Sequence, residues 1–171
     1  GSKRTRAYWA KSYNAAQPSP PACASNDAVT GNGDRGQYGS GPQECQFCPL
    51  AEWGTKADGR RSQACKSMIQ LFILTPDSLL PLVLSVPPSS LKTVEPYTLR
   101  LLGQGIPKWA AVTSFTLVQK SIVGYPTAVV TPALAGRLTA EQAAGMKRYA
   151  DELAPLVRQT PIDVESQVVE G

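Results

Sequence analysis

Histidine is absent from all 171 residues of this chain. That removes whole classes of chemistry. A Ser-His-Asp triad has no base, and an H-E-x-x-H metalloprotease has no ligands. Long apolar runs are missing too: nothing approaches the roughly 20 residues of a membrane-spanning helix, and no hydrophobic signal-peptide region is found. The run Gly31-Asn32-Gly33-Asp34-Arg35-Gly36 lacks the Gly-Lys-Ser/Thr of a phosphate loop and reads as a flexible loop. No internal repeat is present. An initiator methionine is also lacking. Gly1-Ser2 reads as an expression remnant, and the abrupt opening Lys3-Arg4-Thr5-Arg6-Ala7-Tyr8-Trp9 points to a fragment without an upstream strand.

What the chain does have is four cysteines in the spacing C-x21-C-x2-C-x16-C: Cys23, Cys45, Cys48 and Cys65. A two-residue gap lets both thiolates of a tight turn face one cation, and a second pair completes a tetrahedron. The second half of the spacing lies within the range of zinc ribbons, whereas the long first gap is unusual. Two disulfides are the alternative for a secreted chain, but no secretory signal supports them. A redox pair needs Cys45 and Cys48 at a strand-to-helix junction; here Gly39-Ser40-Gly41-Pro42 and Pro49 read as loop. The pattern therefore predicts a closed structural Zn2+ site on all four cysteines. A zinc deaminase is rejected, because Cys23-Ala24-Ser25 lacks the required Glu and Glu44, not proline, precedes Cys45. Asp27, Asp34 and Glu44 have the chemistry to hold magnesium, yet Asp in a Gly/Asn-rich loop more often builds turns.

Net charge is +4, and it is uneven. Residues 1–66 hold nine Lys/Arg against five Asp/Glu, while residues 67–171 hold eight of each. Half of the twelve aromatics also lie in the first part. Basic residues interleaved with aromatics suit a single-stranded nucleic acid; the plainer reading is the polar surface of a loop-rich segment.

Three parts are expected. Residues 3–66 form a basic N-terminal arm and zinc-binding loop, residues 67–158 a β-β-α-β-β-α core, and residues 159–171 an acidic tail. The Tyr8 region offers a short strand. Lys66–Leu74 alternates as a strand, and Leu80–Val86 follows as a hairpin partner that Pro81 marks as late-starting or an edge. Ser89 or Ser90 is placed to cap a helix running to Gly103, short or kinked at Pro96. Trp109–Lys120 and Ile122–Thr131 pair across Lys120-Ser121, with Gly124 and Pro126 suggesting a bulge or edge. Thr139-Ala140-Glu141-Gln142 is a capping box opening a last helix. The order fits an α+β fold: an OB-like small β-barrel if the Tyr8 region or upstream sequence supplies the first strand, or, as the runner-up, a mixed α+β sandwich with an antiparallel sheet of four strands, with the zinc-stapled loop inserted and a C-terminal helix.

The run Cys23-Ala-Ser-Asn-Asp27, Cys45-Gln-Phe-Cys48-Pro49, Trp53-Gly54, Ala64-Cys65-Lys66, Leu82–Leu84 and Pro88-Ser89-Ser90-Leu91-Lys92 resembles a family of small four-cysteine zinc-binding proteins of bacteriophages and mobile elements. The resemblance spans about residues 8–130 and includes every cysteine. It implies replication or recombination of phage DNA in the cytoplasm of a bacterial host. A narrower likeness is to phage single-stranded DNA-binding proteins with zinc built into an OB-fold; those use a histidine ligand, which this chain lacks.

The leading expectation is a non-enzymatic single-stranded DNA-binding protein. Arg60, Arg61, Lys66, Lys108 and Lys120 are its candidate backbone contacts, and Phe47, Trp53, Trp109 and Tyr125 its candidate stacking residues. Lys66 and Lys120 are expected on one side of the sheet, framing the path of the strand. Replication or recombination proteins and a second copy of the chain are further partners; a membrane is not. The alternative is a zinc-containing protein-interaction module that binds a host or phage protein.

Overall fold

The computed structural model describes residues 1–11, 16–56, 62–122 and 124–162, with only the backbone at Tyr125. The architecture is α+β. Six strands, β1 (Ser2–Tyr8), β2 (Cys23–Ser25), β3 (Thr30–Gly33), β4 (Gln43–Glu44), β5 (Cys65–Ile73) and β6 (Leu82–Val86), form one sheet. Its order is β4-β3-β2-β1-β5-β6, with every neighbour antiparallel. Helix α1 (Pro88–Gly103) follows, then a separate two-stranded ribbon of β7 (Ala111–Ile122) and β8 (Tyr125–Arg137), then helix α2 (Ala140–Gln159).

The sheet is open, and this corrects the barrel expectation. Closure needs the last strands to hydrogen-bond back onto the first, whereas β7 and β8 pair only with each other. The sheet also runs across the division expected at residue 66, because β1 lies between β2 and β5.

Alternation along β5 explains its two-sided burial. Cys65, Ser67, Ile69 and Leu71 share one face, and Lys66, Met68, Gln70 and Phe72 share the other. On the first face Ile69 and Val86 pack against Val94 of α1 and Val130 of β8, with Leu71, Leu84, Leu91 and Phe115 around them. Each aliphatic side chain buried there contributes roughly 1.5–3 kcal/mol. On the second face Ala7 and Met68 are covered by Ile162. Residues 159–162 are therefore part of the packed structure rather than a tail: Gln159 ends α2, and Ile162 joins the core. Residues 163–171 lie outside the described residues. Lys3 Nζ donates to the carbonyls of Arg158 and Thr160, a cation on the C-terminal carbonyls of α2.

Local expectations differ in instructive places. Neither Ser89 nor Ser90 caps α1; the helix begins at Pro88 and its N-cap is Pro87. The Ser90 hydroxyl accepts a 3.0 Å bond from the Val130 amide instead, and Thr93 Oγ1 donates to the Val130 carbonyl, so the pair bolts α1 to β8. Helix α1 continues through Pro96, which is exposed. The β7–β8 turn falls beyond Lys120-Ser121, since both of these residues pair within the ribbon and Ile122 pairs with Tyr125; the register shift lies at Val112/Thr113 rather than near Gly124 and Pro126. The capping box of α2 forms as expected: the Gln142 amide donates to Thr139 Oγ1, and the Thr139 amide to Gln142 Oε1.

Candidate metal centre

Strand β1 frames the cysteines. Its last residue, Tyr8, pairs with Cys23 of β2 on one side and Cys65 of β5 on the other. Paired residues project to the same face, so the two thiols stand in one row with Tyr8 between them, about 10 Å apart at the backbone from a strand spacing of about 4.8 Å. Cys45 and Cys48 enter on a 3-10 turn. The Cys45 amide donates to the Val29 carbonyl at 2.7 Å, anchoring the turn to the end of the β2–β3 loop. The Cys48 amide donates back to the Cys45 carbonyl at 3.3 Å, which folds C-x-x-C onto itself.

All four cysteines are free thiols, each only 7–8% exposed. Gly31 shows how tightly two of them converge: a Cβ there would stand 3.3 Å from Cys23 Sγ and 3.4 Å from Cys45 Sγ. Cys48 and Cys65 pack with Leu50, and Tyr8, Ala51 and Ala64 close that cluster. Burial pushes the Cys65 thiol up to about 12; Arg6 draws it down, while Cys45, Cys48 and Cys23 each push it up.

Their donor type, their burial and the glycine cradle suit a thiophilic metal. Ligation requires a further step. Among the described residues no group of three or more His, Cys, Asp or Glu side chains already stands in metal-holding geometry. For ligation the sulfurs would have to close in around an ion, with Cys23 and Cys65 reaching across the Tyr8 row.

Two arginines that sequence reading passed over border the cluster. Arg35 is 5% exposed. Its Nη1 donates to Gly41 O at 2.7 Å and Gly33 O at 3.2 Å, and lies 3.7 Å from Cys23 Sγ; its Nε has no hydrogen-bond partner. Arg6 pairs with Ser67, two residues from Cys65 on the same face of β5, and has a buried Nη1 that is likewise without a partner. The available signal for Arg35 was a basic residue inside a glycine-rich loop that begins and ends at cysteines.

The magnesium candidates behave as turn formers. Asp27 Oδ1 accepts from the Val29 and Thr30 amides and the Ser25 hydroxyl, and these bonds hold its carboxyl below the usual range. Asp34 Oδ1 accepts from the Gly36 amide at 2.8 Å. Glu44 Oε2 accepts from Gln46 Nε2.

The proposed nucleic-acid contacts separate into groups. Phe47 and Trp53 stand on the cysteine segment, 72% and 76% exposed, so Leu50 rather than either ring covers the thiols. Lys66 projects to the sheet face opposite Cys65. Lys120 is exposed near the end of the ribbon, in a different sheet. The common face expected for Lys66 and Lys120 does not form, because β7 never joins the main sheet. Lys108 Nζ donates to Ser2 Oγ at 2.8 Å, and burial pushes its ammonium below the usual lysine range. Trp109 carries Lys147 5.9 Å from its ring centroid, a cation–π contact on α2. Arg60, Arg61 and the Tyr125 side chain lie outside the described residues.

A cleft of about 1000 Å3 lies elsewhere, between α2 and the β5–α1 region. The described residues that line it include Lys3, Lys108 and Arg158 but no carboxylate or thiol. No helix among the described residues is long and apolar enough to cross a membrane. No family model, curated protein or solved structure matches the chain.

Proposed function

We propose that this chain is a non-catalytic single-stranded DNA-binding protein whose contact surface is the cysteine segment, stapled by a structural Zn2+ on Cys23, Cys45, Cys48 and Cys65. The carrying observation is the exposure of Phe47 and Trp53 on a segment that buries its four cysteines and Leu50. Two rings held open to solvent by a buried staple form a stacking platform. The excess positive charge of residues 1–66 supplies the phosphate attraction. Zinc held by four thiolates keeps no open position and supplies only rigidity. The motif order supports phage replication or recombination in a bacterial cytoplasm as the setting. The binding surface rests on the zinc segment and needs no barrel.

Titration of the full chain with oligonucleotides, read by tryptophan fluorescence, tests this. Binding is expected to weaken steeply with salt. Phe47→Ala and Trp53→Ala are each expected to lower affinity roughly 5- to 150-fold, from about 1–3 kcal/mol per stacked base. Absence of salt-sensitive quenching at low ionic strength would sink the proposal.

A second reading, protein contact, draws on a different surface. From Ala111 to Gly136 the ribbon carries one charge, Lys120, and residues 116–122 are all exposed. Two strands alone are marginally stable in water, and an uncharged edge invites pairing. The same chain has a matching uncharged surface: residues 78–91 hold no charge, and Leu79, Leu80, Leu82 and Val83 are exposed at the β6 edge. The partner on this reading is a second copy, with the β7 edge of one protomer laid on β6 of its partner. Sedimentation velocity should show a dimer or larger species that Leu117→Glu disrupts. A parent that stays monomeric at high concentration removes this reading.

A further inference from the structure

The cysteine centre has a charge problem that its arginines answer. Four thiolates around a divalent ion leave two negative charges, here in a site with almost no solvent contact. Such a charge is costly to bury unless opposite charge stands beside it. Arg35 presents the converse difficulty. It is a buried guanidinium, and among the described residues no carboxylate pairs with it. Gly33 and Gly41 carbonyls satisfy one of its nitrogens but supply no countercharge. Arg6 repeats the pattern from the other end of the Tyr8 row, with a buried nitrogen that has no partner, beside Cys65.

We infer that Arg35 and Arg6 are the counter-ions of a dianionic four-thiolate centre, one placed at Cys23 and the other at Cys65, so that the site with a divalent ion bound is electrically neutral. This rests on the metal reading above. The two arginines are positioning residues: they touch or face the sulfurs and hold them as thiolates. Neutrality also bears on DNA. An uncompensated dianion beneath Phe47 and Trp53 would repel phosphate, whereas a neutral centre leaves the platform open to it.

Cobalt(II) binding to the full chain tests this, with thiolate-to-metal absorption as the readout and competition against zinc for affinity. The parent is expected to bind one ion per chain with a four-thiolate spectrum. Arg35→Met and Arg6→Met are each expected to weaken affinity about 10- to 100-fold, with stoichiometry and spectrum retained. Arg35→Lys keeps the charge but loses the planar fork that reaches both carbonyls, and it should recover most of the loss. A parent that binds no cobalt or zinc removes the metal reading itself. A parent that binds metal while either Met variant matches its affinity overturns the counter-ion inference alone. Equal weakening in Arg35→Met and Arg35→Lys also overturns it, because Arg35 would then act only as a carbonyl clamp. Should Arg35→Met fail to fold, Arg6→Met and Arg35→Lys still decide the question.

Discussion

Cys48→Ala is expected to abolish stoichiometric zinc binding and to release residues 23–56 from their ordered fold. In structural zinc sites metal binding and folding are one equilibrium, with apparent binding free energies of about 10–16 kcal/mol at neutral pH. That exceeds or equals the whole stability of most domains, about 5–15 kcal/mol. The segment has little else to hold it. Its strands are three, four and two residues long, and its buried side chains are largely the cysteines and Leu50. The rest of the sheet is less dependent. β1 and β5 pair over seven residues, and the Ile69–Val86–Val94–Val130 cluster does not touch the thiols. Hydrogen exchange on the zinc-loaded parent and the variant should show protection lost in β2–β4 and kept in β5, β6 and α1. Unchanged protection in β2–β4 would show that the segment folds without metal.

Gly33→Ala is the second large effect. Gly33 has φ +136°, a conformation that side chains rarely adopt, and a Cβ there would lie 2.1 Å from Ala22 O and 2.6 Å from Cys23 Cα. Those are backbone atoms with no rotamer to change. The approach is also pinned, since the Asp34 amide donates to Ala22 O at 2.7 Å and the Ala22 amide to Tyr8 O at 2.8 Å. Relief must displace Cys23 itself. The substitution is expected to destabilise by about 4 kcal/mol or more, the range reserved for forced backbone or core damage, and to weaken metal binding in step. Denaturant unfolding of the zinc-loaded protein measures the first and cobalt titration the second. A variant as stable as its parent, with parental metal affinity, contradicts so close an approach of β2 and β3.

Much of the local structure could be read from the residues, and the reasons are local ones. β5 alternates over nine residues, β6 follows after a Pro-containing turn, and α2 announces itself by Thr139 and Gln142. Pairing was another matter. Nothing in the composition of Trp109–Thr131 says whether two strands rejoin the sheet or leave it as a ribbon, and the barrel failed on that point. Ser90 was misplaced for a related reason. A serine near a helix start looks like a cap whichever way it points, and here its hydroxyl is taken by a strand forty residues away. At the site, the cysteine spacing pointed to the segment in which Cys23 and Cys45 both approach Gly31 and Cys48 packs with Cys65. It could not foretell Gly31 as the floor under two sulfurs, or Arg35 and Arg6 at the rim, because those roles depend on which strands lie beside β1. The common face expected for Lys66 and Lys120 depended on the barrel, and it is lost because β7 belongs to a separate ribbon.

The place of β1 also has a temporal consequence. The first strand of the chain is an inner strand of the finished sheet, and its longer neighbour is β5, more than fifty residues later. On a ribosome it can take β2 as a partner early, but its other edge stays open until residues 65–73 have emerged. Contacts this distant in sequence are slow to form, and an unpaired inner strand is a hazard while it waits. Cys23 would reach the nascent sheet before Cys65 exists to face it. Assembly of the four cysteines and closure of the second seam of β1 therefore await the same stretch of chain, and a lone early thiol would have to be kept reduced until that stretch arrives.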